Sequence, residues 1–330
     1  MLCLGIESTA HTFGCSVVES KGKVLSDERD VYKAPEGSGI HPRDASRHHM
    51  EACSAVLRQS LLSAGVSMKD IDIVGYSAGP GLGPCLRVGA VAARTLAGFY
   101  KKPLVPVNHA LGHLELGAML TDATDPLVLL VSGGHTMILA FSHGRWRVFG
   151  ETLDITVGQL LDQFGRTLGF ASPCGGRIEQ LAVQSAGKYM QLPYIVKGND
   201  VSFSGLLTAV TKLASEGVEA TDTCYSLQET AFAMLAEAVE RALSFTGKKE
   251  MMIVGGVAAN KRLAQMLEAA CGRQGSKLFV CPLKFAGDNG AQIAWTAIQQ
   301  YQDTKKHIKV EKSFVQQSWR LDTVDVSWRR

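Results

Sequence analysis

No stretch of this chain approaches the ~20 consecutive apolar residues of a membrane-spanning helix, so a membrane partner is not expected. No two of the eight cysteines (Cys3, Cys15, Cys53, Cys85, Cys174, Cys224, Cys271 and Cys281) are separated by only two residues, which excludes a zinc knuckle and a CxxC redox pair. Most fall inside apolar segments and read as small buried hydrophobes, a usage that fits a reducing cytosol. Neither a P-loop nor a GxGxxG turn after the first strand is present. Charge of one sign is also scarce: the net +3 permits a phosphate-backbone partner without demanding one. Basic residues cluster only briefly, at Lys101-Lys102, Lys248-Lys249, Lys305-Lys306-His307-Ile308-Lys309 and Arg329-Arg330. The opening residues Met1 to Glu7 carry no basic leader or small-residue cleavage site, and a cytoplasmic location is expected.

What is present is ample apolar material. With 330 residues, 46% hydrophobic and 20% charged, the chain reads as a globular protein long enough for two domains. Leu2–Ile6 reads as a buried strand, Glu7–Phe13 as a polar turn, Gly14–Glu19 as a strand, Lys21-Gly22 as a hairpin and Lys23–Val31 as a third strand. The same order recurs at Leu127–Val131, Ser132–His135, Thr136–Phe141, His143-Gly144 and Arg145–Phe149. Two similar α/β lobes are therefore expected, 1–123 and 124–301, each offering its first turn to a shared ligand in a cleft. The tail, 302–330, is expected to cross back to the first lobe or to bind a partner. A chance likeness of two β-meanders is the alternative.

Helices are expected at 41–64, ended by Gly65, and at 85–99, 156–168, 177–185, 222–245 and 261–270, with a last one to Tyr301. Between strand Ile71–Ser77 and the 85–99 helix lies Ala78-Gly79-Pro80-Gly81-Leu82-Gly83-Pro84. Its density of Gly and Pro predicts a shaped ligand or metal-site wall rather than a plain connection.

Two imidazoles carry the most specific chemistry. Asn108 is a good helix N-cap, so His109 and His113 lie one turn apart on one face, a spacing that suits two ligands of one metal ion. Two ordinary polar helix histidines would look the same. The zinc-protease signature requires Glu after the first His; here stands Ala110, which argues against that mechanism. Asp288, in Gly287-Asp288-Asn289-Gly290, is either a helix N-cap or a third ligand completing a two-His, one-carboxylate site for iron(II) or zinc. Four small-residue turns suit a phosphate or sugar: Glu7–Thr12, Ser132-Gly133-Gly134-His135, Gly175-Gly176 and Gly255-Gly256. Asp162 and Glu179 are candidate ribose-hydroxyl acceptors, or plain helix-surface charges.

Taken together, these motifs resemble the tRNA N6-adenosine threonylcarbamoyltransferase family, whose archaeal and eukaryotic branch is the catalytic subunit of the KEOPS complex and whose bacterial branch is TsaD. The resemblance runs through LGIESTAHTFG (4–14), HPRDASRHH (41–49), SAGPGLGPCLRVG (77–89), VNHALGHLE (107–115), VSGGHT (131–136), GETLDITVGQLLDQFGRTLG (150–169), SFSGLLTAV (202–210), SLQETAF (226–232), GGVAANKRL (255–263) and GDNGAQIA (287–294). Ala10-His11-Thr12 and the ending 319–328 resemble the archaeal branch. The resemblance implies a duplicated actin, hexokinase and Hsp70-like (ASKHA) fold with a nucleotide and metal cleft. It implies transfer of a threonylcarbamoyl group from threonylcarbamoyl-AMP, made by a separate synthase, to the adenosine next to the anticodon in tRNAs reading codons that begin with A.

Carried over by position, His109, His113 and Asp288 match the ligands of one divalent ion, Fe2+ or Zn2+. Ser132, Asp162, Gly175, Glu179 and Asn260 match positions that hold the AMP-containing substrate or ATP, and Gly133, Gly134 and Gly256 of the small-residue turns are expected beside them. His11 is a candidate for contacting the phosphate or moving a proton. The partners implied are tRNA, a kinase-like subunit and a small dimerising subunit. This chain departs from archaeal relatives at Leu130, where Tyr is common near the iron, and at His135, where Asn is usual. Leucine cannot ligate, so three protein groups would hold the ion and it need not be iron. Two rival classes are a small-molecule kinase of the same superfamily, against which the HALGH stretch argues, and a non-catalytic nucleotide-binding scaffold, against which the full set of candidate ligands argues.

Overall fold

The computed structural model describes residues 1–329. The first sheet is built from β1 (Leu2–Glu7), β2 (Thr12–Glu19), β3 (Val24–Val31), β4 (Ile73–Gly79) and β5 (Leu104–Asn108), in the order β3-β2-β1-β4-β5. Helices α1 (Pro42–Ala64), α2 (Gly83–Tyr100) and α3 (His109–Thr121) connect or follow these strands. Next come β6 (Leu127–Val131), β7 (Thr136–Ser142), β8 (Arg145–Glu151), α4 (Val157–Thr167) and α5 (Gly175–Gln184). A two-stranded ribbon of β9 (Val196–Lys197) and β10 (Asp200–Val201) leads to α6 (Ser204–Ser215) and α7 (Ala220–Thr246). The chain ends with β11 (Glu250–Val254), α8 (Lys261–Gln274), β12 (Lys277–Val280), α9 (Leu283–Ala286) and α10 (Gly290–Thr304).

The second sheet runs β8-β7-β6-β11-β12, the same order as the first when corresponding strands are matched. Pairing agrees as well. β1–β2, β2–β3, β6–β7 and β7–β8 are antiparallel, whereas β1–β4, β4–β5, β6–β11 and β11–β12 are parallel. Matching order and sense in ten strands is a true duplication, which two independent meanders would not produce.

Local chemistry explains the boundaries. Central strands covered on both faces read as continuous apolar runs: in Leu127–Val131, Leu127, Leu129 and Val131 face a core with α4, α5 and α7, while Val128 and Leu130 face a second core containing Leu111 and Leu114 of α3. α1 ends at Gly65, whose φ of 67° closes the helix in the left-handed region. α4 begins with a capping box between Thr156 and Gln159. β2 starts at Thr12, two residues before the expected Gly14, because the Thr12 and Phe13 side chains are buried.

Chain order and packing part company at the end. α10 follows the second sheet's strands but lies on the first sheet, against β1, β2 and β4. The approach is nearly backbone to backbone: a Cβ at Gly5 would collide with the Gly290 carbonyl and Ala294, and one at Gly75 would meet Ala297 Cβ at 2.7 Å.

The tail then returns to the first lobe. Ile308 bridges Leu104, Gln316 N donates to Ala78 O at 2.7 Å, and Gly81 N donates to Gln317 O at 3.1 Å. These contacts correct the expectation for the 78–84 loop. Its glycines admit the tail at Gln316 and Gln317 and the turn at Thr9, which itself backs His109, so chain and not ligand fills the space beside them. Among the described residues no helix is long and apolar enough to cross a membrane.

Candidate metal centre

β5 delivers its last residue, Asn108, as the N-cap of α3, with Oδ1 accepting from Leu111 N at 3.1 Å. The cap starts the helix at His109 and so sets both imidazoles on the face that looks toward Asp288. His109 Nε2 lies 3.5 Å and His113 Nε2 3.3 Å from Asp288 Oδ1. The donor atoms of the three residues all lie within 4.8 Å of one another. Asn289, not Asp288, caps α10, its side chain accepting from Gln292 N at 2.9 Å, which leaves the Asp288 carboxylate to the histidines. Two imidazoles and one carboxylate converging on one point fit a divalent ion with open positions.

A supporting shell orients His109. Glu7 Oε2 lies 2.9 Å from Nδ1, with Gln292 Nε2 at 3.1 Å and Thr9 Oγ1 at 3.3 Å. Glu7 is fully buried and also accepts from Thr9 N at 2.6 Å. In neutral His109 the Nδ1–H donates to the Glu7 carboxylate, so the lone pair sits on Nε2, the atom facing Asp288.

Electrostatics follow from this geometry. Burial alone would lower His109; the Glu7 and Asp288 carboxylates outweigh it and raise its pKa to about 9. Burial keeps His113 below its ordinary value despite Asp288. Burial would raise Asp288, but His109 and His113 hold its carboxyl far below the usual carboxylate range.

The second lobe brings its first turn beside this centre. The His135 and His109 rings lie 6.4 Å apart at 27°, and burial pushes His135 down to about 3. Ser132 Oγ accepts from Gly134 N and His135 N, which shapes the turn, and Thr156 Oγ1 donates to Gly133 O. Gly133, Gly134 and Gly256 have no heavy atom within 4 Å of where a Cβ would stand, so their backbones lie open; at Gly175 only Leu161 Cδ1 is near, at 3.7 Å.

Beyond that turn the predicted residues link α4 to the starts of α5 and α8. Asp162 on α4 accepts from Cys174 N at 2.6 Å, at the start of α5, and its carboxyl is raised by burial. Gly175 and Gly176 are the first residues of α5 and not a free turn. Glu179 on α5 accepts from Lys261 N at 2.8 Å, at the start of α8. Asn260 caps α8, accepting from Arg262 N and Leu263 N, while its amide donates to Gln228 at 2.8 Å. His11 sits on the β1–β2 turn, within electrostatic reach of Asp288 and Asp162, its carbonyl accepting from Tyr32 N.

Leu130 is fully buried in the core behind α3 with Val128, Leu139 and Trp146. Sequence reasoning placed Glu7 and Thr9 in a phosphate- or sugar-binding turn, whereas the structure buries both beside the His109 ring; Gln292 it missed altogether. Only Glu7 left a signal, a carboxylate closing an otherwise apolar strand.

The family model described as tRNA N6-adenosine threonylcarbamoyltransferase matches residues 23–295. A protein of that name from Caldivirga maquilingensis is 50% identical over 99% of this chain and 98% of its own length. The chain belongs to this family. Its members by that name are transferases, and one from Thermococcus kodakarensis is 49% identical over 99% of this chain and all of its own length. A relative from Methanothermobacter thermautotrophicus, named as a bifunctional tRNA threonylcarbamoyladenosine biosynthesis protein, is 48% identical; this chain covers 61% of it. Two solved structures share the fold at low identity. HypF from T. kodakarensis aligns with a TM-score of 0.62 at 13% identity, over 90% of this chain and 47% of its own. The (R)-2-hydroxyglutaryl-CoA dehydratase component A of Acidaminococcus fermentans aligns with a TM-score of 0.56 at 14% identity, over 92% and 99%. Both belong with the ASKHA architecture that the duplicated sheets display.

Proposed function

We propose that this chain transfers the threonylcarbamoyl group from threonylcarbamoyl-AMP to N6 of the adenosine beside the anticodon, and that His109, His113 and Asp288 hold one divalent ion, Fe2+ or Zn2+. Full-length identity of about half to named transferases carries the reaction class. The convergent two-His, one-carboxylate set supports the ion. When bound, the ion supplies Lewis acidity toward the carbonyl and carboxylate oxygens of the threonylcarbamoyl group.

The chain's own residues do the rest. Glu7 fixes the His109 ring through Nδ1, so the ligand set is organised before substrate arrives. The open backbone at Gly133, Gly134 and Gly256 receives the AMP half, with Ser132 shaping the turn and Asp162, Gly175, Glu179 and Asn260 bordering it. Glu179 and Asn260 act partly through the start of α8, which they hold. His11 reaches the phosphate side. The adenine N6 lone pair forms a bond to the carbamoyl carbon, the bond from that carbon to the phosphate oxygen breaks, AMP leaves with that electron pair, and N6 loses one proton. The tRNA base is unstacked to reach the cleft. A kinase-like and a small dimerising subunit assemble with the chain, as in a KEOPS-type complex, and the chain works in the cytoplasm. The domain units are 1–123 and 124–301 in chain order, with α10 and the first part of the tail packing on the first unit and residues 321–328 meeting the β7–β8 hairpin of the second.

The test is single-turnover transfer to tRNA with wild type and His109→Ala at saturating threonylcarbamoyl-AMP. Loss of transfer by a hundredfold or more, with nucleotide binding retained, is the expected result. Equal transfer rejects the ligand role of His109.

A further inference from the structure

The end of the chain grips the helix that carries both histidines. α3 holds three ionisable side chains, His109, His113 and Glu115. At about 100° per residue the histidines lie some 40° apart, and Glu115 projects about 200° beyond His113, from the opposite side of the helix. There its carboxylate is only 3% exposed. It accepts from Arg329 Nε at 2.8 Å, from Trp328 Nε1 at 3.2 Å and from Trp146 Nε1 of β8 at 3.3 Å. The Arg329 guanidinium also stands 5.0 Å over the Trp146 ring.

The tail holds the front of the same helix as well. The amide of Asn108, the cap that precedes His109, donates to Trp319 O at 3.1 Å. Between these two grips the tail is anchored to the β7–β8 hairpin: Val326 N donates to Gly144 O at 2.8 Å, Arg145 pairs with Asp325, and Leu321 and Val326 are buried beside Trp146.

We propose that Trp328 and Arg329 are positioning residues for the metal centre, fixing the rotation of α3 through Glu115 so that His109 and His113 face Asp288. A buried carboxylate without its cation is strongly unfavourable, so losing Arg329 drives Glu115 toward solvent and turns or shifts the helix that bears the ligands. The inference rests on the reading of His109, His113 and Asp288 as metal ligands.

The experiment measures Zn2+ affinity of the full chain by competition with a chromophoric chelator, and the visible spectrum of the Co2+-loaded chain. Wild type, Arg329→Ala, Arg329→Lys and the exposed-strand control Arg147→Ala are compared, with folding checked by circular dichroism. Arg329→Ala is expected to weaken Zn2+ binding by about tenfold and to change the Co2+ bands, in the range seen when outer partners of metal ligands are removed. Arg329→Lys recovers part of the loss, and Arg147→Ala equals wild type. Should Arg329→Ala fail to fold, Trp328→Phe removes one tail donor to the Glu115 carboxylate and keeps an aromatic ring and the cation in place. Weakened Zn2+ binding in that folded variant supports positioning, and wild-type affinity overturns it. Wild-type affinity in folded Arg329→Ala likewise overturns the proposal alone. A wild-type chain that takes up no Zn2+ overturns the metal reading itself.

Discussion

Glu7 and His109 meet across 102 residues of chain, Oε2 of one lying 2.9 Å from Nδ1 of the other. The carboxylate comes from the last residue of the first strand and the imidazole from the first residue of the third helix. Between them they decide which nitrogen of His109 is free. Thr9, which donates its N–H and hydroxyl to the other Glu7 oxygen at 2.6 and 2.5 Å, keeps the carboxylate pointed at the ring.

Glu7→Gln removes the anion and keeps the shape. Its expected effect is a fall in Zn2+ affinity of about 10- to 100-fold, the usual cost of losing an outer carboxylate partner of a metal-bound histidine. Chelator competition on the folded variant measures it. Affinity within twofold of wild type would show that Gln292 and Thr9 orient the ring without Glu7.

Proton and metal compete for His109. In the metal-free chain its pKa is about 9, above the ordinary 6.5. Stability drawn from its charge is therefore fully present below pH 6.5 and is lost as pH rises through about 9. The Asp288 contribution runs the other way: its depressed carboxyl stabilises the fold above the ordinary carboxylate pKa and ceases to do so as acid protonates it. Zn2+ must displace the His109 proton, so its affinity is expected to climb about tenfold per pH unit between pH 6.5 and 9, with about one proton released at pH 7. Calorimetric titration in two buffers of different ionisation enthalpy reads the proton directly. A pH-independent affinity would contradict the raised His109.

Gly290 opens α10 against the first sheet. A Cβ there would stand 2.5 Å from Ser16 N and 2.7 Å from both Cys15 C and Gly5 O, all backbone atoms that cannot swing aside. Gly290→Ala is expected to cost about 3 kcal/mol or more, since overpacking against rigid neighbours forces the backbone apart. The melting temperature of the variant checks it; a change under one degree would mean that α10 sits looser than its contacts imply.

Much of the fold was legible because it rests on local pattern. Leu127–Val131 reads as a doubly covered strand from its unbroken apolar run, and Gly65 and Thr156 mark helix ends by their own chemistry. The repeated strand-turn-strand-hairpin order carries the duplication in the sequence itself, and the two sheets share one strand order. The candidate ligand histidines were legible for the same reason, two imidazoles four positions apart on one helix. What escaped reading depends on distant partners. The 78–84 glycines signal a close approach, yet nothing local says that the approaching chain is Gln316 and Gln317. The placement of α10 on the first sheet is equally non-local, set by where Gly5, Gly75 and Gly290 leave bare backbone. Gly175 and Gly176 read as a turn because glycine is a poor helix former, but the Cys174 link to Asp162 starts α5 there.

Arg29 of β3 donates to the carbonyls of Asp288 and Lys284, Gly112 of α3 abuts Gln292 of α10, and α10 rests on β1. Yet Leu111 and Leu114 of α3 pack with Val128 and Leu130 of the second sheet, and Glu115 meets Trp146 of β8. The helix that carries both histidines is thus a pin held by the two sheets at once, so a disturbance of either sheet is felt at all three candidate ligands.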